Sequence, residues 1–599
     1  MIAIEALKKY FGYDKFRSPQ DEIINTLIDN KSAMVIMPTG GGKSMCYQIP
    51  AIVKEGTCVV VSPLIALMQD QVDSLNQIGV KAEFLNSTTS DKEKKKIARD
   101  LKSGSIKLLY VAPERLLNPL FYNWLKENVN ISMFAIDEAH CVSQWGHDFR
   151  KEYIKLSILQ EDFPNVPRIA LTATANELTR KEISDNLSLN DSPHFICGFD
   201  RSNITYSIEP KDNEKEQLVD YIKENHLGET GIVYCLSKKR TEEFTKLLCD
   251  NGFNALTYHA GMKNADKESN LNRFLKEDNI IMVATIAFGM GIDKPDVRFV
   301  CHVDLPKSIE GYYQETGRAG RDGKPSTAWM IYGLKDVTLQ KSFVDNSDGD
   351  EQSKRVARTA LNAMFSLCEV ISCRRQVLLG YFGEDLKEPC GNCDNCLNPQ
   401  ETFDATVMIQ KALSTVLKTK QSFGAQMLVD VLLGKETPKL KQRGFNNLSV
   451  YGIGKEVGEN EWKTLFRQLS LMRYLDVEPK YNALKFNEKA RAVLKGDETV
   501  FLAKQLLEPK KKKVKVRKKI ENIELTKDQK IILEKLLEVR NVISKELNKP
   551  AYQIFNNDTL EQMVLYKPKS LEDMININGV GEMKLKSFGK QFYEVLKDL

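Results

Sequence analysis

Met37-Pro-Thr-Gly-Gly-Gly-Lys-Ser44 joins an apolar run to a helix-forming stretch. Glycines there let backbone N–H groups approach phosphate oxygens, and the N-terminus of a following helix favours their negative charge. Thr39, Gly40, Gly41 and Gly42 would wrap a polyphosphate, with Lys43 reaching its β- and γ-phosphates and Ser44 ligating Mg2+. Taken alone, the same residues also read as a glycine turn between strand and helix. The generic pattern opens on glycine, where this chain has Met37.

Two further segments carry complementary chemistry. Asp137-Glu138-Ala139-His140 closes an apolar run. Asp137 can hold Mg2+, and Glu138 can polarise an attacking water. Gln314-Glu-Thr-Gly-Arg-Ala-Gly-Arg-Asp-Gly323 brings Arg318 and Arg321, whose spacing puts them on one face if the segment is helical. Guanidinium groups aimed at a triphosphate would stabilise charge developing on the γ-phosphate. A solvated acidic turn and an exposed basic helix are the plainer alternatives.

Cys373, Cys390, Cys393 and Cys396 form a C-x16-C-x2-C-x2-C cluster. Four thiolates at this spacing can close a tetrahedron around Zn2+, with no position left for water, so the role is structural. Disulfides are the alternative, disfavoured in a reducing compartment. The other eight cysteines stand singly in apolar runs and read as small buried hydrophobes.

These residues need elements to hold them. Over the first 335 residues, short apolar runs alternate with turns and helical segments. The runs are Met34–Met37, Cys58–Val61, Leu108–Val111, Met133–Ile136 and Ile169–Leu171, then Gly231–Tyr234, Ile280–Ala284, Phe299–Val303 and Trp329–Tyr332. Strands buried on both faces and alternating with helices predict parallel α/β sheets. A polar break near 211–216 predicts two such units, 1–200 and 201–335. Beyond them the pattern turns helical. It divides into a cysteine-bearing segment over 336–405, amphipathic helices with a candidate hairpin over 406–505, a basic linker over 506–524, and a small helical bundle over 525–599.

Composition excludes some classes. The chain has 599 residues, 42% hydrophobic and 28% charged, which predicts several globular domains and not a disordered protein. The most apolar stretch, Cys58 to Met68, is broken by Ser62 and Pro63, too short to span a membrane. The N-terminal residues lack the basic-then-apolar order of a signal peptide, so the expected location is the cytoplasm. Net charge is +5, but Lys510 to Lys519 alone holds eight basic residues, and without them the balance is negative. Positive charge for a polyanion must therefore be placed locally. The absence of a long heptad run predicts a monomer.

Together these segments resemble a superfamily-2 helicase, whose phosphate loop begins with a non-glycine residue. Ser62–Gln71, Thr172-Ala-Thr-Ala175, Tyr234–Ser237, Tyr258-His-Ala-Gly261 and Val283–Ile292 are similar to its ordered motifs. Phe11–Gln20 and Cys141–Tyr153 resemble the RecQ branch, and the similarity covers nearly the whole chain. The resemblance implies two RecA-like lobes, a helical zinc-binding subdomain, a winged helix and an all-α HRDC bundle. It implies that Tyr13 stacks on the adenine of ATP, that Gln20 bonds its edge and that Arg17 assists. The aromatic-rich loop would offer Trp145, Phe149 and Tyr153 to bases, with His147 and Arg150 as polar contacts. The residues alone would equally make Trp145 and Phe149 core.

The same resemblance makes Tyr481, at the hairpin tip, a candidate strand-separating wedge, and Tyr552 a stacking contact in the HRDC bundle. Plain turns are the alternatives at both places. The implied activity is ATP-dependent, 3′ to 5′ translocation on single-stranded DNA with unwinding of tailed duplex, in repair and recombination. The implied partners are DNA and single-stranded-DNA-binding protein, and the implied location is cytoplasmic, at the nucleoid. A remodelling ATPase, an RNA helicase and a DNA-binding protein with a degenerate motor remain rivals at this point.

Overall fold

Nine apolar runs become the interior strands of two parallel sheets. In the computed structural model, the described residues are all but 64, 87–88, 144–148, 290–293, 348, 400–401, 473, 479–482, 504–524, 548 and 598–599. Trp145, His147, Tyr481 and the basic stretch Lys510–Lys519 therefore lie outside the described residues.

The first sheet contains Ala33–Ile36 (β1), Thr57–Val61 (β2), Ala82–Leu85 (β3), Leu108–Val111 (β4), Ile131–Ile136 (β5), Arg168–Thr172 (β6) and His194–Ile196 (β7). Their order is β3-β4-β2-β5-β6-β1-β7, all parallel. The second sheet contains Ile204–Pro210 (β8), Gly231–Tyr234 (β9), Ala255–Tyr258 (β10), Ile281–Ala284 (β11), Phe299–His302 (β12) and Ser326–Tyr332 (β13). Its order is β10-β11-β9-β12-β13-β8, again all parallel.

Every strand absent from the nine runs, β3, β7, β8 and β10, lies at a sheet edge. Edge strands are half-covered, so their residues alternate or stay polar. β8 alternates buried with partly exposed positions, whereas β1, β2, β5 and β6 are buried throughout. Helices cover the faces because consecutive parallel strands need a crossover.

The chain forms two compact units. The first comprises Met1–Ala360, Leu379–Asp385 and Lys519–Leu599 and holds both sheets together with the C-terminal bundle. In that bundle Lys527–Glu546, Asn557–Tyr566 and Lys590–Leu596 enclose Leu536, Phe555 and Phe592, all fully buried.

The second unit comprises Leu361–Leu378 and Leu386–Lys518. Its helices Thr406–Lys418, Ala425–Leu432 and Glu459–Leu471 pack around the buried Trp462, whose indole N–H donates to Gly454 O at 2.9 Å. Leu475–Val477 (β14) pairs antiparallel with Leu484–Phe486 (β15), which is the hairpin expected there.

Two of the singly placed cysteines depart from expectation. Cys249 is exposed and Cys197 half-buried. Cys249 lies in the last turn of the helix Lys238–Asp250, and Cys197 follows the edge strand β7; neither place is enclosed. Among the described residues, no helix is long and apolar enough to cross a membrane.

Candidate nucleotide site and metal centre

The phosphate loop runs from the end of β1 to the helix Lys43–Val53. Gly42 caps that helix at φ +87°, a left-handed conformation glycine adopts without strain. A β-carbon there would lie 2.4 Å from Gln20 Nε2. Gln20 is this close because its amide donates to Gly41 O at 3.3 Å and to Gly42 O at 3.2 Å. Its Oε1 accepts from Arg17 N–H at 2.9 Å, and Arg17 Nη1 donates to Gly40 O at 3.2 Å. Arg17 and Gln20 thus brace the loop from behind. Tyr13 is half-buried beside the first-lobe core, and burial raises its hydroxyl pKa. Lys43 Nζ donates to Met37 O at 3.1 Å, across the mouth of the loop.

Asp137 and Glu138 follow β5. Burial, then the adjacent charge of Glu138, pushes Asp137 up to about 7, while Lys43 pulls the other way. Glu138 takes φ +48°, and its Oε2 lies 3.2 Å from His140 Nδ1. The same nitrogen is 2.9 Å from Thr172 Oγ1, which donates to Thr174 O at 3.2 Å. Thr174 Oγ1 in turn accepts from Gln314 Nε2 of the second lobe at 3.0 Å. Hydrogen bonds through Thr172 and Thr174 therefore connect His140 to Gln314, with the Glu138 carboxylate beside the imidazole. His140 and Thr174 sit in segments conspicuous in the sequence, but their partners are far apart along the chain.

The arginine pair corrects one expectation. The helix Ile309–Thr316 ends before Arg318, and Gly320 turns at φ +57°. Arg318 and Arg321 therefore lie in a turn and not on one helix face; the helix ends at Thr316, and the left-handed Gly320 stands between the two arginines. The turn is close to the phosphate loop. A β-carbon at Gly40 would lie 3.7 Å from Arg321 Cα, and one at Gly317 would lie 3.6 Å from Thr39 Cβ. Arg318 is 4% exposed and sits beside Tyr234.

Tyr153 corrects another. It is fully buried, and its hydroxyl donates to Asp137 O at 3.0 Å, so its ring is core and not a base platform. Phe149 is half-buried. Arg150 Nη1 donates to Pro63 O at 3.1 Å, tying the aromatic-rich loop to the segment after β2.

The C-terminal bundle packs on the first lobe. Gly579 N–H donates to Gly12 O at 3.1 Å, next to Tyr13. Tyr552 Oη lies 3.4 Å from Asp70 Oδ1, and Gln553 Nε2 donates to the same oxygen at 2.8 Å.

The four cysteines converge in the second unit, with their Sγ atoms all within 4.8 Å of one another. Cys390 and Cys396 Sγ are 3.9 Å apart. Gly391, at φ +63°, makes the tight turn that returns the chain between Cys390 and Cys393. Hydrogen bonding from Cys390, with further donors, lowers the pKa of the Cys393 thiol. Arg374 braces the cluster through Asp394, at 2.6 and 3.0 Å. This all-sulfur set fits a structural Zn2+.

Two parallel-sheet lobes, one bringing a glycine-rich loop close to an arginine-bearing turn of the other, fit the architecture of a helicase motor. Family models bear this out in chain order: DEAD/DEAH box helicase over 17–183, helicase conserved C-terminal domain over 213–323, RecQ zinc-binding over 334–397, RQC domain over 399–511 and HRDC domain over 529–596. The ATP-dependent DNA helicase RecQ of Haemophilus influenzae is 40% identical, over 100% of this chain and 96% of that protein. The Bacillus subtilis protein of the same description is 37% identical, over 99% of this chain and 98% of its own. The RecQ-like DNA helicase BLM of Xenopus laevis is 35% identical, over 98% of this chain and 46% of its own length. The chain belongs to the RecQ helicase family.

Proposed function

We propose that this protein is an ATP-dependent DNA helicase that moves 3′ to 5′ on single-stranded DNA and unwinds tailed duplex. One observation carries the reading: the phosphate loop and the Arg318–Arg321 turn, from different lobes, approach so closely at Gly40 and Gly317 that an added β-carbon would touch the opposite segment. A γ-phosphate cradled by the loop would thereby be within range of guanidinium groups from the other lobe.

Each residue then has a task. Tyr13 covers the base, and Arg17 and Gln20 link base recognition to the loop carbonyls they already hold. Thr39, Gly40, Gly41 and Gly42 offer backbone N–H groups, and Lys43 neutralises the β- and γ-phosphates. Glu138 orients the attacking water, and His140 fixes the carboxylate. Arg318 and Arg321 stabilise the leaving charge. Ser44 and Asp137 supply hard oxygen donors suited to Mg2+, which when bound would screen the triphosphate. Gln314 reports the state of this site to the second lobe through Thr174.

DNA would be gripped by Trp145, His147, Phe149 and Arg150 on the first lobe. Tyr481 and Tyr552 are further contacts on this reading; Tyr552 would have to leave Asp70 first. Direction, duplex unwinding and work in repair and recombination are supported by family membership; single-stranded-DNA-binding protein as partner and a place at the nucleoid are read by family analogy, and a monomeric state from the lack of a long heptad run. The test is unwinding of 3′-tailed against 5′-tailed duplex with ATP. Opening of the 3′-tailed substrate alone supports the reading, and opening of the 5′-tailed substrate alone contradicts it.

A further inference from the structure

Arg201 lies in the connection between β7 and β8, where the chain passes from one lobe to the other. All five of its guanidinium N–H groups are engaged. Nη1 donates to Thr39 O at 2.7 Å and to Gly317 O at 3.0 Å. Nη2 donates to Ala319 O at 2.8 Å and to Gly320 O at 2.9 Å. Nε donates to Asn203 Oδ1 at 3.4 Å, and Asn203 Nδ2 donates to Gly320 O at 2.8 Å and to Lys324 O at 2.9 Å.

This pattern is lopsided. Three carbonyls belong to the turn that carries Arg318 and Arg321, and one belongs to the phosphate loop. Arg201 is therefore built into the second lobe and reaches across to the first through a single bond. A planar fork fixes the directions of the carbonyls it binds, and a carbonyl's direction sets the backbone that bears the next side chain. Lysine has the charge but not the fork.

We propose that Arg201 is a positioning residue for nucleotide hydrolysis: it sets the Arg318–Arg321 turn against the phosphate loop at Thr39, and its Thr39 bond is the joint that lobe separation breaks. It acts through backbone carbonyls and need not touch the nucleotide. The inference rests on the motor reading above.

The test uses the full chain with Arg201→Lys, with Arg318→Ala/Arg321→Ala, and with all three substitutions combined. Turnover of ATP is read with saturating single-stranded DNA, together with melting temperature. In Arg201→Lys we expect kcat to fall at least about tenfold, with KM for ATP moving less than about threefold. The same substitution should change the residual rate of the Arg318→Ala/Arg321→Ala background by less than about threefold, because both groups being positioned are already gone. An equal fall in both backgrounds overturns the proposal. So does a raised KM at unchanged kcat, which would make Arg201 a part of nucleotide binding. Arg201→Gln is the second variant; if both unfold at working temperature, Arg201 is a structural clamp and the proposal fails. A wild type without DNA-stimulated turnover would sink the motor reading itself, a distinct outcome.

Discussion

Gln314 Nε2 donates to Thr174 Oγ1 at 3.0 Å, so a side chain of the second lobe is bonded to a polar path that leads through Thr174 and Thr172 to His140, 3.2 Å from Glu138. That path runs through His140 and Thr172 and uses no charged group of the second lobe. Gln314→Ala would cut it without touching the phosphate loop. We expect DNA-stimulated turnover to fall about tenfold, while ADP affinity, read by equilibrium titration, stays within about twofold. Loss of ADP affinity in step with turnover would place Gln314 in nucleotide binding instead.

Gly42 tests the backbone. Its φ of +87° and the 2.4 Å approach of Gln20 Nε2 both oppose a side chain. Gly42→Ala should destabilise the first lobe by about 1–3 kcal/mol and abolish nucleotide binding. Gln20→Ala added to it should recover stability by relieving the contact. Denaturant unfolding of the three variants checks this, and no recovery in the double variant would assign the whole cost to φ.

Tyr153 separates core from platform. Tyr153→Phe removes the hydroxyl that serves Asp137 O, so stability should drop by about 1 kcal/mol. Affinity for single-stranded DNA should stay within about twofold, since a buried ring stacks on no base. Phe149→Ala, by contrast, should weaken DNA binding, worth about 1–3 kcal/mol per stacked base. Fluorescence anisotropy on labelled oligonucleotide reads both.

Cys393→Ser leaves three thiols around a site that needs four. Bound zinc, measured by elemental analysis, should fall well below the roughly one ion per chain expected of the wild type. The second unit should become protease-sensitive while the nucleotide site keeps ADP affinity. Full zinc occupancy in the variant would contradict a four-sulfur site.

The sequence discloses chemistry where the needed residues are contiguous. Met37–Ser44, Asp137–Glu138 and the Cys390–Cys396 run are local, and so are the interior strands, whose burial on both faces leaves unbroken apolar runs. The edge strands β3, β7, β8 and β10 leave no such mark. Arg201 is the sharper case. Four of its five acceptors are backbone carbonyls, which any residue supplies, so neither its type nor its neighbours announce a joint. The arginine turn is hidden for a related reason: a spacing of three suits a helix, and the left-handed Gly320 between the two arginines decides otherwise. Tyr153 shares a loop rich in aromatics with Phe149, and only the fold separates the buried ring from the half-exposed one.

The central claim is that ATP hydrolysis at this site is coupled to single-stranded DNA. The most direct measurement is steady-state ATP turnover with and without single-stranded DNA, for the wild type and for Lys43→Ala. Strong stimulation by DNA in the wild type, absent in Lys43→Ala, is the result the account predicts. Turnover indifferent to DNA, or surviving intact in Lys43→Ala, would contradict it.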